Sequence, residues 1–408
     1  MGPVPYSTLD PSRLRRARAA VFGIFAVNGF LLAAWVVHIP PISERTGISH
    51  ATLGWLLLVL AGAALLGMQM AGPLADRWGS RRMVGAAGLL LSAGVIGPGL
   101  ATDAPTLAAA LAVFGLGNGA LDVSMNSQAV HVERAYRRPI MSAFHALFSL
   151  GGVAGSLLGA ATLAAGWSPL TALSGAAAVA LVVVLLCLPM LLGRPPQPPT
   201  REATATAAPA PPPRRRAATG KVLALGAIAF ALFLAEGAAN DWSTLQVEEH
   251  LGTSESTAAL AFGSFAVMMT VGRFTADRVA AAFGPVAVVR CGTLLAAAGL
   301  ATVMASGWVW LTLTGWALFG LGLSGCIPQI FTAAGNLSGG SPGVTMSRVV
   351  GMGYLGLLAG PALLGWLTGL MPLTATLIVP LVFVLLAARF AGQVRPAPHK
   401  AEGALRAA

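Results

Sequence analysis

Twelve apolar runs, each close to twenty residues long, decide what this chain can become. They fall near 19–39, 51–72, 83–101, 106–131, 140–163, 169–191, 221–243, 256–274, 285–306, 309–331, 346–369 and 372–393. Hydrocarbon offers backbone N–H and C=O groups no water to bond, so only helices and closed barrels cross a bilayer. A crossing helix needs about 20 apolar residues. These runs are too long for barrel strands and lack apolar/polar alternation, which excludes a barrel. With 56% of residues hydrophobic and 10% charged, the chain has too little charge to cover a water-soluble domain. The expected fold class is an all-α integral membrane protein with twelve transmembrane helices.

The runs are written twice. Gly72-Pro-Leu-Ala-Asp76-Arg77 is echoed by Arg273-Phe-Thr-Ala-Asp277-Arg278, 201 residues on, and Phe114-Gly-Leu-Gly117 by Phe319-Gly-Leu-Gly322, 205 residues on. A half-length period in an apolar chain predicts two pseudo-symmetric six-helix bundles. Residues 193–220, rich in proline and ending in Arg214-Arg-Arg216, read as a disordered cytoplasmic linker between a bundle at 1–192 and another at 221–408. The chain carries 50 glycines, some spaced as Gly151, Gly155 and Gly159, which let helix backbones approach closely in lipid. Pro328 and Pro361 allow bends.

A net charge of +11 suggests nucleic acid until its placement is considered. Of the 25 Lys and Arg, all but Arg45 fall on one side of the twelve-helix arrangement, while Asp103, Glu248, Glu249 and Glu255 fall on the other. This is the positive-inside pattern. It predicts a multi-pass protein of the bacterial cytoplasmic (inner) membrane with both termini in the cytoplasm, and no nucleic-acid partner. No signal peptide is expected, because the first run is long and no small-residue cleavage site follows it. Cys187, Cys291 and Cys326 lack metal-ligand spacing and read as free buried thiols.

The stretch Gly72-Pro-Leu-Ala-Asp76-Arg77-Trp-Gly79-Ser-Arg81-Arg82 resembles the signature loop of the major facilitator superfamily, between its second and third helices. The helix count, the linker and the second copy at Asp277-Arg278 fit the same family, whose two six-helix halves are parallel repeats. The resemblance implies a secondary transporter working by alternating access. It also implies a cytoplasmic gating loop in which Asp76 and Arg77 pair with helix ends in the outward-facing state. Arg273 stands where the first half has Gly72, so the two gates are not expected to be equivalent. Asn118-Gly-Ala-Leu-Asp122-Val-Ser-Met-Asn126, Arg138-Pro-Ile-Met-Ser-Ala-Phe-His145 and Glu236-Gly look like the MosC/YbjJ-type branch. That branch has been linked to rhizopine, an amino-cyclitol derivative, which implies a small polar organic solute.

An ionisable group in mid-helix costs about 2.5–3.5 kcal/mol on insertion scales, so each is a functional candidate. Asp122 is the first, about 15 Å from the cytoplasmic end of helix 4. Asn118, Asp122 and Asn126 recur at i, i+4 and i+8 and share one face. In the superfamily helices 1, 4, 7 and 10 line the cavity; the alternative for this stripe is hydrogen-bonded helix glue. Glu236, placed in the outer half of helix 7, has Asn240 at i+4, and Asn28-Gly29 of helix 1 aligns with Glu236-Gly237. A carboxylate in such a site can take and release a proton, unless it sits solvated at the external mouth. His145 is a possible relay with an equally open packing role. Trp35, Gln329 and Tyr354 are cavity candidates; Trp242 reads as a membrane anchor and His38 as interfacial.

These residues predict a proton-coupled carrier of a sugar, cyclitol or amino-sugar-like solute. The alternatives are a proton-driven exporter of drugs or secondary metabolites and a non-transporting sensor or scaffold. No nucleophile–base set, metal cluster or phosphate-binding glycine loop is visible, so neither an enzyme nor a cofactor nor a metal is expected, and transport would draw on a gradient. The expected partners are the solute, protons and lipid, and the expected state is a monomer.

Overall fold

The computed structural model describes residues 10–193, 213–337 and 341–396. Twelve helices in it are long and apolar enough to cross a membrane. We label them α1 (Pro11–Val37), α2 (Thr52–Trp78), α3 (Ser80–Leu100), α4 (Ala104–Tyr136), α5 (Met141–Ala164) and α6 (Pro169–Met190). The second half supplies α7 (Thr219–Leu251), α8 (Glu255–Phe283), α9 (Pro285–Ala305), α10 (Val309–Gly335), α11 (Pro342–Leu367) and α12 (Leu373–Val394). Each overlaps one apolar run. Several outrun it at the arginine-rich end: α1 begins at Pro11 and α4 continues to Tyr136. Backbone bonding does not stop where hydrocarbon does, and long basic side chains reach into the interface. Of the expected linker, residues 194–212 lie outside the described residues, and the helix containing α7 already begins at Pro213.

Local sequence fixes where helices start. At the end opposite the arginines, Ser49, Asp103, Ser168 and Ser254 each accept the N–H of a threonine three residues on: Thr52, Thr106, Thr171 and Thr257. Each such cap satisfies an orphan donor and stabilises its helix by about 1 kcal/mol. The Thr106 hydroxyl and N–H also hold the Asp103 carboxyl below the usual carboxylate range. Prolines fix where helices break. α3, α10 and α12 are interrupted at Val95, at Ser324–Gly325 and at Leu377, three or four residues before Pro98, Pro328 and Pro380. A proline lacks the N–H and crowds the carbonyl four residues back. Pro361 lies inside α11 without interrupting it.

Glycine sets the helix pairs. A Cβ on Gly29 of α1 would stand 2.1 Å from the Phe148 carbonyl oxygen of α5, and one on Gly237 of α7 would stand 2.5 Å from that of Leu357 in α11. The two halves therefore close their α1–α5 and α7–α11 pairs by the same backbone approach.

Candidate functional site

Asp122, Glu236 and Tyr354 each lie within two residues of the midpoint of their helices α4, α7 and α11. Glu236 is therefore central, not in the outer half as the apolar run suggested; α7 simply continues farther at that end. Tyr354 lies within electrostatic reach of both carboxylates and so stands between the halves. Asn126 donates to the Asp122 backbone carbonyl at 2.9 Å and to its carboxylate at 3.4 Å, which fixes the stripe of α4 as one face. The other Asp122 carboxylate oxygen is buried without a partner.

Glu236 has a cation beside it. Arg273 of α8 approaches its carboxylate at 3.6 Å and donates across the halves to the Ser149 hydroxyl of α5. Arg273 thus enters the site from the repeat position that Gly72 occupies in the first half.

The remaining candidates divide. Asn28 of α1 is buried and donates to the Met125 sulfur of α4 at 3.8 Å. One amide atom each of Asn28, Asn118, Asn126 and Gln329 is buried with no hydrogen-bond partner. Unmet capacity of this density is costly inside a protein and marks a place for a ligand or water. Asn240 is exposed one turn beyond Glu236. Trp35 is sealed in the core of the first half. Two aromatic residues have partners that hydropathy did not show: the Trp242 indole donates to the Pro361 carbonyl of α11 at 3.1 Å. His38 is buried, bonding the Ala34 carbonyl and reaching Thr162 of α5 at 3.4 Å. Hydropathy places a ring at a helix end without telling which neighbour it meets. Cys291 is likewise exposed rather than buried, because an apolar run does not say which face meets lipid.

His145 belongs to a layer the sequence did not reveal. Its ring packs edge-on to Phe25 at 5.2 Å and near Phe331 at 5.9 Å. Phe331 continues to Phe233 at 6.4 Å, and Phe233 to Tyr354 at 5.7 Å. These rings come from α1, α5, α10, α7 and α11, so both halves contribute to one aromatic floor. His145 has a packing place in it, with its Nδ1 on the Met141 carbonyl at 3.1 Å.

Beyond that floor, the arginine-rich end is closed. Asp76, in the last turns of α2, accepts the N–H groups of Gly343 and Val344 at the start of α11, at 2.8 and 3.0 Å. Asp277 of α8 accepts those of Ser142 and Ala143 at the start of α5, at 2.9 and 2.8 Å. A carboxylate at a helix N-terminus meets both orphan donors and the positive dipole end. Both acids sit inside helices, not in loops: α2 runs to Trp78 before Gly79 turns the chain with φ +90°, and α8 runs one turn farther, to Gly284 with φ +81°. Arg77 occupies the last turn of α2, Arg81 and Arg82 the first turn of α3, and Arg278 is exposed on α8. At Gly72 the halves touch backbone to backbone, since a Cβ there would stand 2.6 Å from the Gly343 oxygen.

Glu133 completes the closure, and no sequence pattern pointed to it. One oxygen accepts the N–H groups of Ile140 and Met141, both at 2.9 Å, and the other accepts the Thr332 hydroxyl of α10 at 2.6 Å. Arg134 donates to the Gly335 carbonyl and the Asn336 amide oxygen. At the start of α5, four successive N–H groups are therefore shared between an acid of its own half and one of the other. Among the described residues no group of three His, Cys, Asp or Glu is placed to hold a metal.

The model of the family described as Major Facilitator Superfamily matches residues 20–247 and 225–407. The chain is 34% identical over 350 residues to an uncharacterized MFS-type transporter of Yersinia pestis, covering 86% of this chain and 88% of the relative. It is 30% identical over 360 residues to the membrane protein MosC of Rhizobium meliloti, covering 87% and 84%. Among solved structures, a variant of the E. coli fucose:proton symporter FucP superposes with a TM-score of 0.76 at 14% identity, covering 93% of this chain and 98% of that one.

Proposed function

The chain belongs to the Major Facilitator Superfamily of transporters, and we propose that it is a proton-coupled carrier of a small polar organic solute. The observation that carries this reading is the mid-membrane set of Asp122, Tyr354 and Glu236 drawn from both halves, with Arg273 joining Glu236 to Ser149. Unpartnered amide atoms of Asn28, Asn118 and Asn126 beside the free Asp122 oxygen suit a solute that presents several hydroxyls or an amine, such as a sugar, cyclitol or amino-sugar.

Coupling follows from charge. Ionised Glu236 holds Arg273; a proton on Glu236 removes that attraction and leaves Arg273 with the neutral Ser149. The strap from α8 to α5 then weakens, and with it one of the contacts that close the arginine-rich end. Solute binding at Asp122 and Tyr354 acts on the same equilibrium from the other side, so the two halves rock about a shared centre. In this reading, which the charge asymmetry supports, the arginine-rich end faces the cytoplasm of a bacterial inner membrane, and the protein works as a monomer.

The aromatic floor of Phe25, Phe233 and Phe331 favours a second reading, an exporter of amphipathic cations. One assay separates them. In proteoliposomes with an imposed pH gradient, cyclitols and amino-sugars should drive saturable flux, and Asp122→Asn and Glu236→Gln should each lower it by at least about tenfold. Wild-type rates and unchanged proton movement in both variants would overturn the coupling assignment. Flux of hydrophobic cations alone would select the exporter.

A further inference from the structure

A second recognition site lies on the outside of the bundle. Near the arginine-rich end, α2 of the first half and α7 and α11 of the second enclose a groove of about 430 Å³. Its rim holds Arg348. From there Met352 and Leu355 follow along α11 at spacings of four and three residues, opposed by Val222 of α7 and by Leu65 of α2. Those spacings put them on one helix face, so the wall is a continuous apolar track running from the rim toward mid-membrane. Leu223 and Leu355 are 55% and 49% exposed, so the track is open to the surrounding chains of the bilayer rather than to the solute site.

The polar part of the groove has one sign. Gln69 is occupied, donating to the Ser347 carbonyl at 3.2 Å, and Gly351 leaves the space its amide fills. Arg348 is exposed, no carboxylate lines the groove, and among the described residues none pairs with this guanidinium. A cation at the head of an apolar track matches an amphiphile with a phosphate at one end and an acyl chain at the other. Basic pockets between membrane helices at the anionic leaflet are suited to such headgroups.

We propose that this groove binds an anionic glycerophospholipid of the bilayer, its phosphate on Arg348 and one acyl chain along Met352, Leu355 and Leu65. The site is walled by helices of both halves. A lipid seated there spans the seam beside the Gly72–Gly343 contact and favours the conformer in which the arginine-rich end is closed. The groove binds its lipid whatever solute the central site carries.

The test uses the full chain purified in a neutral detergent and titrated with phosphatidylglycerol or phosphatidylcholine, read by native mass spectrometry. Phosphatidylglycerol should be retained in preference to phosphatidylcholine, and Arg348→Ala should cut that preference about fivefold. Arg290→Ala, removing an exposed cation of α9, should leave it unchanged. Phosphatidylglycerol carrying a diazirine in its acyl chain should cross-link to peptides of α2, α7 and α11, the helices that wall the groove. Equal retention of the two lipids by the wild type, equal preference in wild type and Arg348→Ala, or cross-links confined to other helices would each overturn the proposal. If Arg348→Ala fails to fold, Arg348→Gln takes its place beside the wild-type lipid comparison, with the same loss of preference expected.

Discussion

Arg273 stands 3.6 Å from Glu236 at mid-membrane, in the repeat position that the first half fills with Gly72. The two seams between the halves are therefore closed by different physics. At α2–α11 the backbones of Gly72 and Gly343 meet directly, a contact with nothing to titrate. At α8–α5 the half-buried guanidinium of Arg273 bridges Glu236 and Ser149. Asp76 and Asp277 each accept a pair of successive N–H groups from a helix of the other half, so the inequality expected from the sequence lies in what stands beside each cap: Arg273 near one, and Glu133 sharing the start of α5.

Removing one partner of the mid-membrane pair strands the other. Arg273→Ala should lower thermal stability in detergent by up to about 3 kcal/mol, the low end for an uncompensated charge because both side chains are half-buried. Pairing it with Glu236→Gln should recover most of that loss, because two neutral groups need no counter-charge. A double variant no more stable than Arg273→Ala alone would show that the pair does not hold the two charges together.

The caps should control closure unequally. Asp76→Asn and Asp277→Asn each trade a charge at a helix N-terminus for a neutral amide, a change worth about 1 kcal/mol and up to about 2 where partly buried. Asp277 shares the start of α5 with the second acid Glu133 and is partly opposed by it, whereas Asp76 meets α11 without such a neighbour in its cap contacts. Electron–electron distance measurements between labels at positions 82 and 290 should show the arginine-rich end opening in both variants, more in Asp76→Asn. Distance distributions identical to wild type would refute the assignment.

Gly72→Leu should force the same end apart. Its side chain has no room against the Gly343 carbonyl and Ser347, so backbone must move. Overpacking typically costs about 1–3 kcal/mol, here spent on one conformer. Reagent accessibility of a cysteine placed at buried Gln329, three residues along α10 from the closing contact of Thr332, should rise at least about fivefold; a rise no larger than in Gly62→Leu, whose position is open, would contradict this.

Trp242→Phe tests a structural bond apart from transport. It keeps the ring and deletes the donor to the Pro361 carbonyl. Unfolding should become easier by about 1 kcal/mol while solute affinity stays unchanged. An affinity change without a stability change would instead make Trp242 a binding residue.

That Asp122, Glu236 and Tyr354 lie inside membrane-length helices was legible in the sequence, because polar groups are conspicuous in apolar runs. Glu133 was not, because it lies near a helix end where acids are ordinary; only the turn at Arg137 and the approach of Thr332 give its two oxygens their work. Phe25, Phe233 and Phe331 were invisible as a set, since a phenylalanine in an apolar helix carries no signal of its facing. The partners of Trp242 and His38 were hidden for the same reason.

What the sequence determined by itself was the set of twelve helices, their duplication and the segregation of charge to one end. The bilayer imposes those through run length, backbone satisfaction and the cost of burying charge, all of which act locally along the chain. Only the tertiary structure decided which end is shut, that Asp277 caps a helix of the other half, and that Arg273 answers Glu236. Those contacts join residues far apart in the chain, and each depends on rotations about helix axes that hydropathy, being nearly uniform around these helices, does not encode.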